Sequence, residues 1–253
     1  MNRIKSKLSE NKKILSIYFS AGFPNLNDTK TLIEELEKSG ADMIEIGLPF
    51  SDPLADGPTI QASSTQALKN GMTTALLFEQ IAEIRKTVTI PLLIMGYFNP
   101  ILQFGVENFC KKCAEVGIDG LIIPDLPLDI YLNNYKELFE NHNINMIFLI
   151  TPQTTDERIR LIDANSNAFI YLVSSSSVTG SKERFDASQM DYFKRIEGMN
   201  LKNPQLIGFG ISNKTTYEQA LKHQKGVIIG SSFIEFIEKN SISSISNFIN
   251  NLL

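Results

Sequence analysis

The chain alternates between short apolar runs and longer amphipathic segments. Each apolar run spans five to seven residues and is rich in aliphatic side chains, which is typical of a strand buried on both faces. The sequence predicts eight such strands: Ile14–Phe19, Met43–Gly47, Pro91–Gly96, Gly120–Pro124, Asn145–Ile150, Ala168–Ser174, Gln205–Gly210 and Gly226–Gly230.

The segments between these strands place apolar residues at helical spacing, and the first begins with Asp and Thr and ends with Gly, as helix caps should. The predicted helices are Asn27–Gly40, Thr73–Thr87, Asn108–Gly117, Tyr131–Asn141, Thr155–Asn165, Gln189–Ile196, Thr215–His223 and one from Phe233 onward. Eight strand–helix units in 253 residues predict a (β/α)₈ TIM barrel. No linker interrupts the alternation, so we expect one α/β domain over residues 1–253, with an open doubly wound sheet as the alternative.

Composition narrows the range of functions. Hydrophobic residues make up 43% of the chain and charged residues 21%, as in ordinary globular proteins. The N-terminus is polar, and no apolar run approaches the roughly 20 residues that a membrane helix needs. The chain has only two cysteines, as is usual in a reducing compartment. We therefore expect a cytoplasmic protein. A net charge of −4 without a Lys/Arg stripe argues against nucleic-acid binding. A bound phosphate would therefore have to be held mainly by backbone amides.

Two carboxylates near the second predicted strand are the strongest candidates for chemistry. Glu45 interrupts its apolar residues, and Asp56 follows in a proline-rich loop, where barrel active sites lie. Burial among apolar residues raises the pKa of a carboxyl group, which suits acid–base catalysis near neutral pH. The alternatives are a Glu45 that pairs with Lys or Arg, and an Asp56 that serves only the turn.

Two glycine-containing segments at the last two strand ends are candidates for phosphate binding. In barrels of this kind, backbone N–H groups after strands seven and eight commonly hold phosphate. Gly208–Gly210 and Gly230–Ser232 fall at these places, and Ser231 or Ser232 would add a hydroxyl group or cap the helix.

Several strings extend this interpretation, since they closely resemble the tryptophan synthase alpha chain family in the same order along the whole chain. They are "IYFSAGFP" (Ile17–Pro24), "GLPFSDPLADGPTIQ" (Gly47–Gln61), "MGYFNPI" (Met95–Ile101), "IIPDLP" (Ile122–Pro127), "YLVSSSSVTG" (Tyr171–Gly180), "GFGIS" (Gly208–Ser212) and "GSSFI" (Gly230–Ile234).

The resemblance implies a lyase that cleaves indole-3-glycerol phosphate into indole and glyceraldehyde 3-phosphate. It implies that Glu45 transfers protons and that Asp56 accepts the indole N–H, while Gly180 joins Gly210, Gly230 and Ser231 around the phosphate. The polar segment Ser174–Ser188 would be a lid, with Thr179 meeting the Asp56 loop on closure; the alternative is a merely flexible surface loop. Four aromatic residues at strand ends would line an indole pocket: Tyr18, Tyr97, Tyr171 and Phe209. The alternative is that they only pack in the core or at the rim.

The resemblance also implies a partner, the pyridoxal-phosphate-containing beta chain, in an alpha2beta2 complex, with no cofactor in this chain. The partner contact would involve the loop that carries Asp56, through the apolar residues Phe50, Pro53 and Leu54 and through Asp52. The alternative is that these residues only brace Asp56. Another phosphate-binding barrel, such as an isomerase or an indole-glycerol-phosphate synthase, is a weaker alternative. A synthase of that kind should offer a catalytic lysine at a strand end, and the predicted strand ends offer none. A non-catalytic barrel that regulates a partner is another alternative.

The "CKKC" string (Cys110–Cys113) lies in a helical pattern without companion ligands, so we expect no metal site.

Overall fold

The fold is a closed parallel barrel. The computed structural model describes residues 2–174 and 184–252. Its strands pair in chain order, and the first pairs with the last, so the sheet has no edge. The strands are β1 (Ile14–Ser20), β2 (Met43–Gly47), β3 (Leu92–Met95), β4 (Gly120–Ile122), β5 (Asn145–Ile150), β6 (Ile170–Val173), β7 (Gln205–Gly208) and β8 (Gly226–Ile229). All eight predicted strands are confirmed, and the open sheet is wrong.

Helices surround the barrel and connect its strands. They are α1 (Arg3–Ser9), α2 (Thr29–Lys38), α3 (Pro58–Lys69), α4 (Thr74–Ile81), α5 (Phe98–Phe104), α6 (Val106–Val116), α7 (Leu128–Asn134), α8 (Lys136–Asn141), α9 (Asp156–Asn165), α10 (Ala187–Gly198), α11 (Lys214–Leu221), α12 (Ser231–Lys239) and α13 (Ile245–Leu252).

The helix predictions were less accurate than the strand predictions. The predicted helix Thr73–Thr87 ends at Ile81 and is followed by a short 3₁₀ turn. The predicted helix Tyr131–Asn141 is two helices, because Tyr135 leaves the helical conformation at φ −127°. Helix α3 was missed, although Pro58 at its first turn is a typical helix start.

Every second strand residue points into the barrel, where a separate apolar cluster fills the interior. Members of this cluster include Ile14, Tyr18, Met43, Leu93, Ile122, Ile147, Phe169, Tyr171, Leu206 and Ile228. Ile4 of α1 belongs to the same cluster and is fully buried. The N-terminal helix therefore closes the bottom of the barrel, and the candidate carboxylates lie above this plug.

The N-terminal face of the barrel is held by charged groups. Asp119 is nearly fully buried and accepts hydrogen bonds from Arg85 at 2.6 Å, from Arg3 at 3.0 Å and from the Leu92 amide at 3.0 Å. Loss of one partner from such a network leaves an unpaired buried charge, which is strongly destabilising. This cluster stabilises the fold on the side away from the candidate site.

The two cysteines are structural. Cys110 and Cys113 lie on the buried face of α6, both as free thiols. Burial raises the pKa of the Cys110 thiol to about 12, so the group is an unreactive thiol at neutral pH.

Within residues 2–174 and 184–252, no cluster of three His, Cys, Asp or Glu side chains is arranged to hold a metal ion. No helix in this part of the chain has the length and apolarity needed to cross a membrane.

Candidate active site

Glu45 lies inside the barrel. It is the third of the five residues of β2, two residues before the strand ends, and is fully buried. It pairs across the strands with Tyr18 of β1. Burial raises the pKa of Glu45 to about 8, because the ionised form loses its hydration. A glutamate of this kind is largely protonated at pH 7.

A single hydrogen bond holds the Glu45 carboxyl group. The Ser16 hydroxyl group donates to Oε1 at 3.0 Å, and Oε2 has no partner among the described residues. No Lys or Arg in the described part of the chain pairs with Glu45, so the described residues offer no support for the structural ion pair considered above. An unpartnered, buried carboxyl oxygen is unusual outside functional sites. Glu45 is therefore available for proton transfer.

Asp56 lies in the loop after β2 and is also largely buried, with 9% of its surface exposed. The Tyr97 hydroxyl group donates to Asp56 Oδ2 at 3.3 Å and accepts the Ala55 amide N–H at 2.8 Å. Burial raises the pKa of Asp56 to about 6, and the bond from Tyr97 opposes this rise. Asp56 is thus mostly ionised at pH 7, in contrast to Glu45. Two carboxyl groups with pKa values pushed apart can divide acid and electrostatic roles between them.

The loop that carries Asp56 has one aromatic side chain packed against the protein, whereas other side chains are exposed to solvent. The Phe50 ring packs on Tyr97, with ring centroids 5.3 Å apart, and so braces the loop internally. Leu54 in contrast is 94% exposed, which is unusual for a large apolar side chain. Asp52 is exposed and accepts a hydrogen bond from Ser51. Phe50 therefore braces the loop from inside, and Leu54 presents a large apolar side chain to solvent.

Tyr18 and Tyr171 reach the same region from β1 and β6. Both are nearly fully buried, and each lies close enough to Glu45 and Asp56 for their charges to raise its own pKa further above the value set by burial. Glycines make room for them, since a Cβ at Gly47 would overlap the Tyr18 hydroxyl group and one at Gly208 would overlap that of Tyr171. Small residues at two strand ends are therefore required by the size of the tyrosines.

Two of the four predicted aromatic residues line a cleft together with Asp56. A cleft at the barrel mouth is lined by Tyr18, Asp56 and Tyr97. Phe209 contacts Tyr171 with ring centroids 6.3 Å apart. Phe209 also has φ +69°, a strained conformation for a non-glycine residue and one often found at functional sites. Tyr18, Tyr97 and Tyr171 thus lie near one or both carboxylates, and Phe209 joins them through Tyr171.

The candidate phosphate residues at the ends of β7 and β8 also come together. Gly210 follows Phe209 with φ +73°, and the Ser232 hydroxyl group donates to the Ile211 carbonyl at 3.4 Å, which joins the two segments. Helix α12 begins at Ser231 with Gly230 as its N-cap, and within the described residues it has no side-chain cap hydrogen bond. The expectation that Ser231 or Ser232 caps this helix is wrong. The first-turn amides have no side-chain cap, so they can bind an anion.

Part of the predicted site cannot be placed. Thr179, Gly180 and most of the proposed lid lie outside the described residues. At the border of that segment, Ser174 donates from Oγ to the Phe209 carbonyl at 2.7 Å, and Gln189 donates to the Ser174 carbonyl at 3.1 Å. The base of the segment is therefore tied to the end of β7 and to α10.

Sequence reasoning overlooked polar residues on the inner face of β1. Ser16 and Ser20 are both fully buried, and Ser20 shares a 2.7 Å hydrogen bond with Ser63 of α3. Their spacing of two around Tyr18 would have shown that all three face the same side of the strand. Polar residues at alternate positions of an otherwise apolar strand were the available signal.

Comparisons with known proteins agree with this geometry. The model of the family described as tryptophan synthase alpha chain matches residues 4–252. A tryptophan synthase alpha chain from Flavobacterium psychrophilum is 72% identical over 252 residues, which cover all of both chains. The crystal structure of tryptophan synthase subunit alpha from Legionella pneumophila superposes with a TM-score of 0.89 at 31% identity, covering 100% of this chain and 97% of that one. A Mycobacterium tuberculosis tryptophan synthase structure, in an aminoacrylate-bound form, gives a TM-score of 0.86 at 26% identity, with 100% and 98% covered.

Proposed function

The chain belongs to the tryptophan synthase alpha chain family, and we propose that Glu45 and Asp56 carry the chemistry of that family's reaction. The reaction is a carbon–carbon lyase step, in which indole-3-glycerol phosphate is cleaved into indole and glyceraldehyde 3-phosphate. The observation that supports the assignment most directly is a fully buried glutamate whose Oε2 has no partner among the described residues. A second carboxylate of lower pKa, Asp56, lies near the same two tyrosines as Glu45.

Proton transfer by Glu45 accounts for both halves of the cleavage. The protonated carboxyl group donates its proton to indole C3, which leaves the ring electron-poor. The resulting carboxylate then takes the proton of the hydroxyl group on the carbon attached to C3. The bond between these carbons breaks, its electron pair returns to the indole ring, and the carbon that carried the hydroxyl group becomes the aldehyde. Glu45 ends the cycle protonated, as a pKa of about 8 favours at neutral pH.

Asp56 is proposed to stabilise the electron-poor ring. Its carboxylate would accept the indole N–H, and its negative charge would oppose the positive charge that develops on the ring. This role requires an ionised group, which a pKa of about 6 provides at pH 7. Tyr18, Tyr97, Tyr171 and Phe209 are proposed to enclose the indole. The phosphate is proposed to be held by backbone amides of Gly210, Gly230 and Ser231. Gly180, which lies outside the described residues, is proposed to join them.

The alternative of a synthase with a catalytic lysine is weakened by the strands themselves. None of the eight strands that the structure describes contains a lysine, and their carboxyl ends carry small or apolar residues. The alternative of a non-catalytic barrel is weakened by Glu45, because an unpaired buried carboxyl group costs stability without a structural return.

A tryptophan synthase beta chain is the partner that the family implies. We propose an alpha2beta2 complex in which the exposed Leu54 contributes to the contact and the pyridoxal phosphate belongs to the beta chain. We also propose that residues 1–253 act as one domain, which a barrel closed by β1 and β8 supports. The proposed location is the cytoplasm, in keeping with the two free cysteines.

The test is an assay of the purified chain with indole-3-glycerol phosphate, with release of indole as the readout. The chain alone should release indole slowly, and an added beta chain should accelerate it, because docking orders the loops around the site. Absence of indole with and without the beta chain would contradict the lyase assignment. Equal rates in the two conditions would instead contradict the proposed coupling to a partner.

A further inference from the structure

The Glu45 carboxyl group is held at one oxygen only, and the group that holds it comes from a different strand. Ser16 lies on β1, two residues before Tyr18, and both it and Glu45 are fully buried. The Ser16 hydroxyl group reaches Oε1 at 3.0 Å, within normal hydrogen-bond length. The rest of β1 between Ile14 and Phe19 is apolar apart from the Tyr18 hydroxyl group.

We propose that Ser16 is a positioning residue for Glu45: its hydroxyl group occupies Oε1 and leaves Oε2 as the oxygen that exchanges the proton with the substrate. This inference rests on the proposed function of Glu45 and concerns how the same site works. Ser16 is not among the residues that line the cleft, and its hydroxyl group bonds to Glu45, so it acts through Glu45.

A hydroxyl group suits a carboxyl group that changes its protonation state in each cycle. It donates to the carboxylate once Glu45 has released its proton, and its oxygen can accept a bond while Glu45 is protonated. A lysine or arginine at this place would hold Glu45 permanently ionised, whereas an apolar residue would leave both oxygens without a partner. Serine therefore stabilises the carboxylate without preventing its protonation.

Among residues 2–174 and 184–252, the surroundings of Glu45 contain no other group that hydrogen-bonds to its carboxyl group. The ionisable side chains that face it are Tyr18 of β1 and Tyr171 of β6, with Asp56 near both tyrosines. Burial keeps both tyrosines protonated and neutral, and in the described residues neither hydrogen-bonds to Glu45. The bond from Ser16 is the only interaction here that favours the ionised form, and it opposes burial in setting the pKa of Glu45.

The test follows the protonation of Glu45 directly in Ser16→Ala. The carbonyl stretch of the protonated carboxyl group is recorded by infrared difference spectroscopy across pH, with Glu45→Gln in each background used to assign the band. Loss of the hydrogen bond to the carboxylate should raise the midpoint by about one pKa unit. In the indole assay, kcat should fall by up to roughly tenfold with KM nearly unchanged, because an acid that is weaker by one pKa unit donates its proton to indole C3 at most tenfold more slowly.

Matched variants separate this role from a general effect on packing. Ser16→Thr keeps the hydroxyl group and should restore the midpoint. Ser16→Cys keeps the size but offers only a weak donor, so it should shift the midpoint as Ser16→Ala does, even if the alanine variant folds poorly. Ser166→Ala removes another buried serine hydroxyl group, bonded to the Ile162 carbonyl far along the chain, and should change neither midpoint nor kcat.

An unchanged midpoint in both Ser16→Ala and Ser16→Cys would overturn the proposal. The infrared measurement does not depend on turnover, so it tests Ser16 even if the wild-type chain releases no indole. A wild-type chain without lyase activity would contradict the proposed function, whereas an active chain with an unshifted midpoint in these variants would contradict the role of Ser16 alone.

Discussion

Tyr97 holds Asp56 in place: its hydroxyl group donates to Oδ2 at 3.3 Å and, by accepting the Ala55 amide N–H, ties the loop after β2 to the residue that follows β3. The bond favours the ionised carboxylate and opposes the rise in pKa that burial causes.

Tyr97→Phe should therefore raise the pKa of Asp56 further above about 6. We expect the acidic limb of the kcat/KM profile against pH to move to higher pH. Tyr131→Phe, a buried tyrosine of α7, is the control and should leave the limb in place. A limb unmoved by Tyr97→Phe would show that Asp56 does not determine it.

Glu45 should matter more for turnover than Asp56. Proton transfer has no substitute at position 45, whereas a water molecule or nearby acceptor can partly replace the charge of Asp56. Glu45→Gln should keep substrate binding and lose turnover by two to four orders of magnitude (about 10²–10⁴-fold), while Asp56→Asn should retain a small residual activity. Single-turnover kinetics together with equilibrium binding of substrate separates the two effects. Activity of Glu45→Gln within tenfold of wild type would refute its assignment.

The burial of Glu45 predicts a pH-dependent loss of stability. Its pKa is about 8 in the folded chain against 4.5 for an unperturbed glutamate, so between these values the folded state binds a proton that the unfolded state has released. The free energy of unfolding therefore falls as pH rises through this window and levels off above about 8. Glu45→Gln removes this contribution.

Urea unfolding at pH 5 and pH 9 provides the measurement. The drop in stability between the two pH values should be smaller in Glu45→Gln than in wild type by on the order of a few kcal/mol. Asp56, whose pKa rises from 3.8 to about 6, contributes a smaller drop that both proteins share. Glu218→Gln, at an exposed position on α11, should behave like wild type. Equal drops in wild type and Glu45→Gln would mean that Glu45 ionises normally.

Phosphate binding should depend on the glycines after β7 and β8. A Cβ at Gly230 would lie 3.3 Å from the Tyr18 ring, and Gly210 has φ +73°, which a β-branched residue adopts only with strain. Gly230→Val and Gly210→Val should each weaken binding of inorganic phosphate at least tenfold, as measured by calorimetry. Gly198→Ala is the control, because a Cβ there meets nothing within 4 Å. Normal phosphate binding in both valine variants would place the anion elsewhere.

Leu54 should contribute to the contact with the beta chain. At 94% exposure it contributes little to the folded chain alone, so Leu54→Ser should leave the unfolding midpoint and the basal lyase rate unchanged. Its removal should weaken complex formation several-fold, which titration of the beta chain by fluorescence or calorimetry would show. Leu161→Ser, on α9 and 42% exposed, is the matched control and should have no effect on binding. Equal affinity in the two variants would move the interface away from this loop.

Much of the fold could be derived from the sequence because its determinants are local. A strand buried on both faces must be apolar throughout, and for this reason β5 was predicted with its observed limits, Asn145–Ile150. Glu45 stood out for the same reason, as a charged residue inside such a strand. The helices were harder: α3 was taken as part of a loop, since Pro58 and Gly57 at its start are also turn residues.

The arrangement within the site was decided by the tertiary structure. The contact of Ser16 with Glu45 depends on the register in which β1 pairs with β2, and the separation of 29 residues leaves no trace of it in local pattern. The same holds for the glycines that make room for tyrosines and for the bond from Tyr97 to Asp56. The sequence by itself determined which elements form and which residues can carry charge or protons. Closure of the barrel determined which of these residues meet, because burial and contact between distant strands set the pKa values and the free oxygen of Glu45.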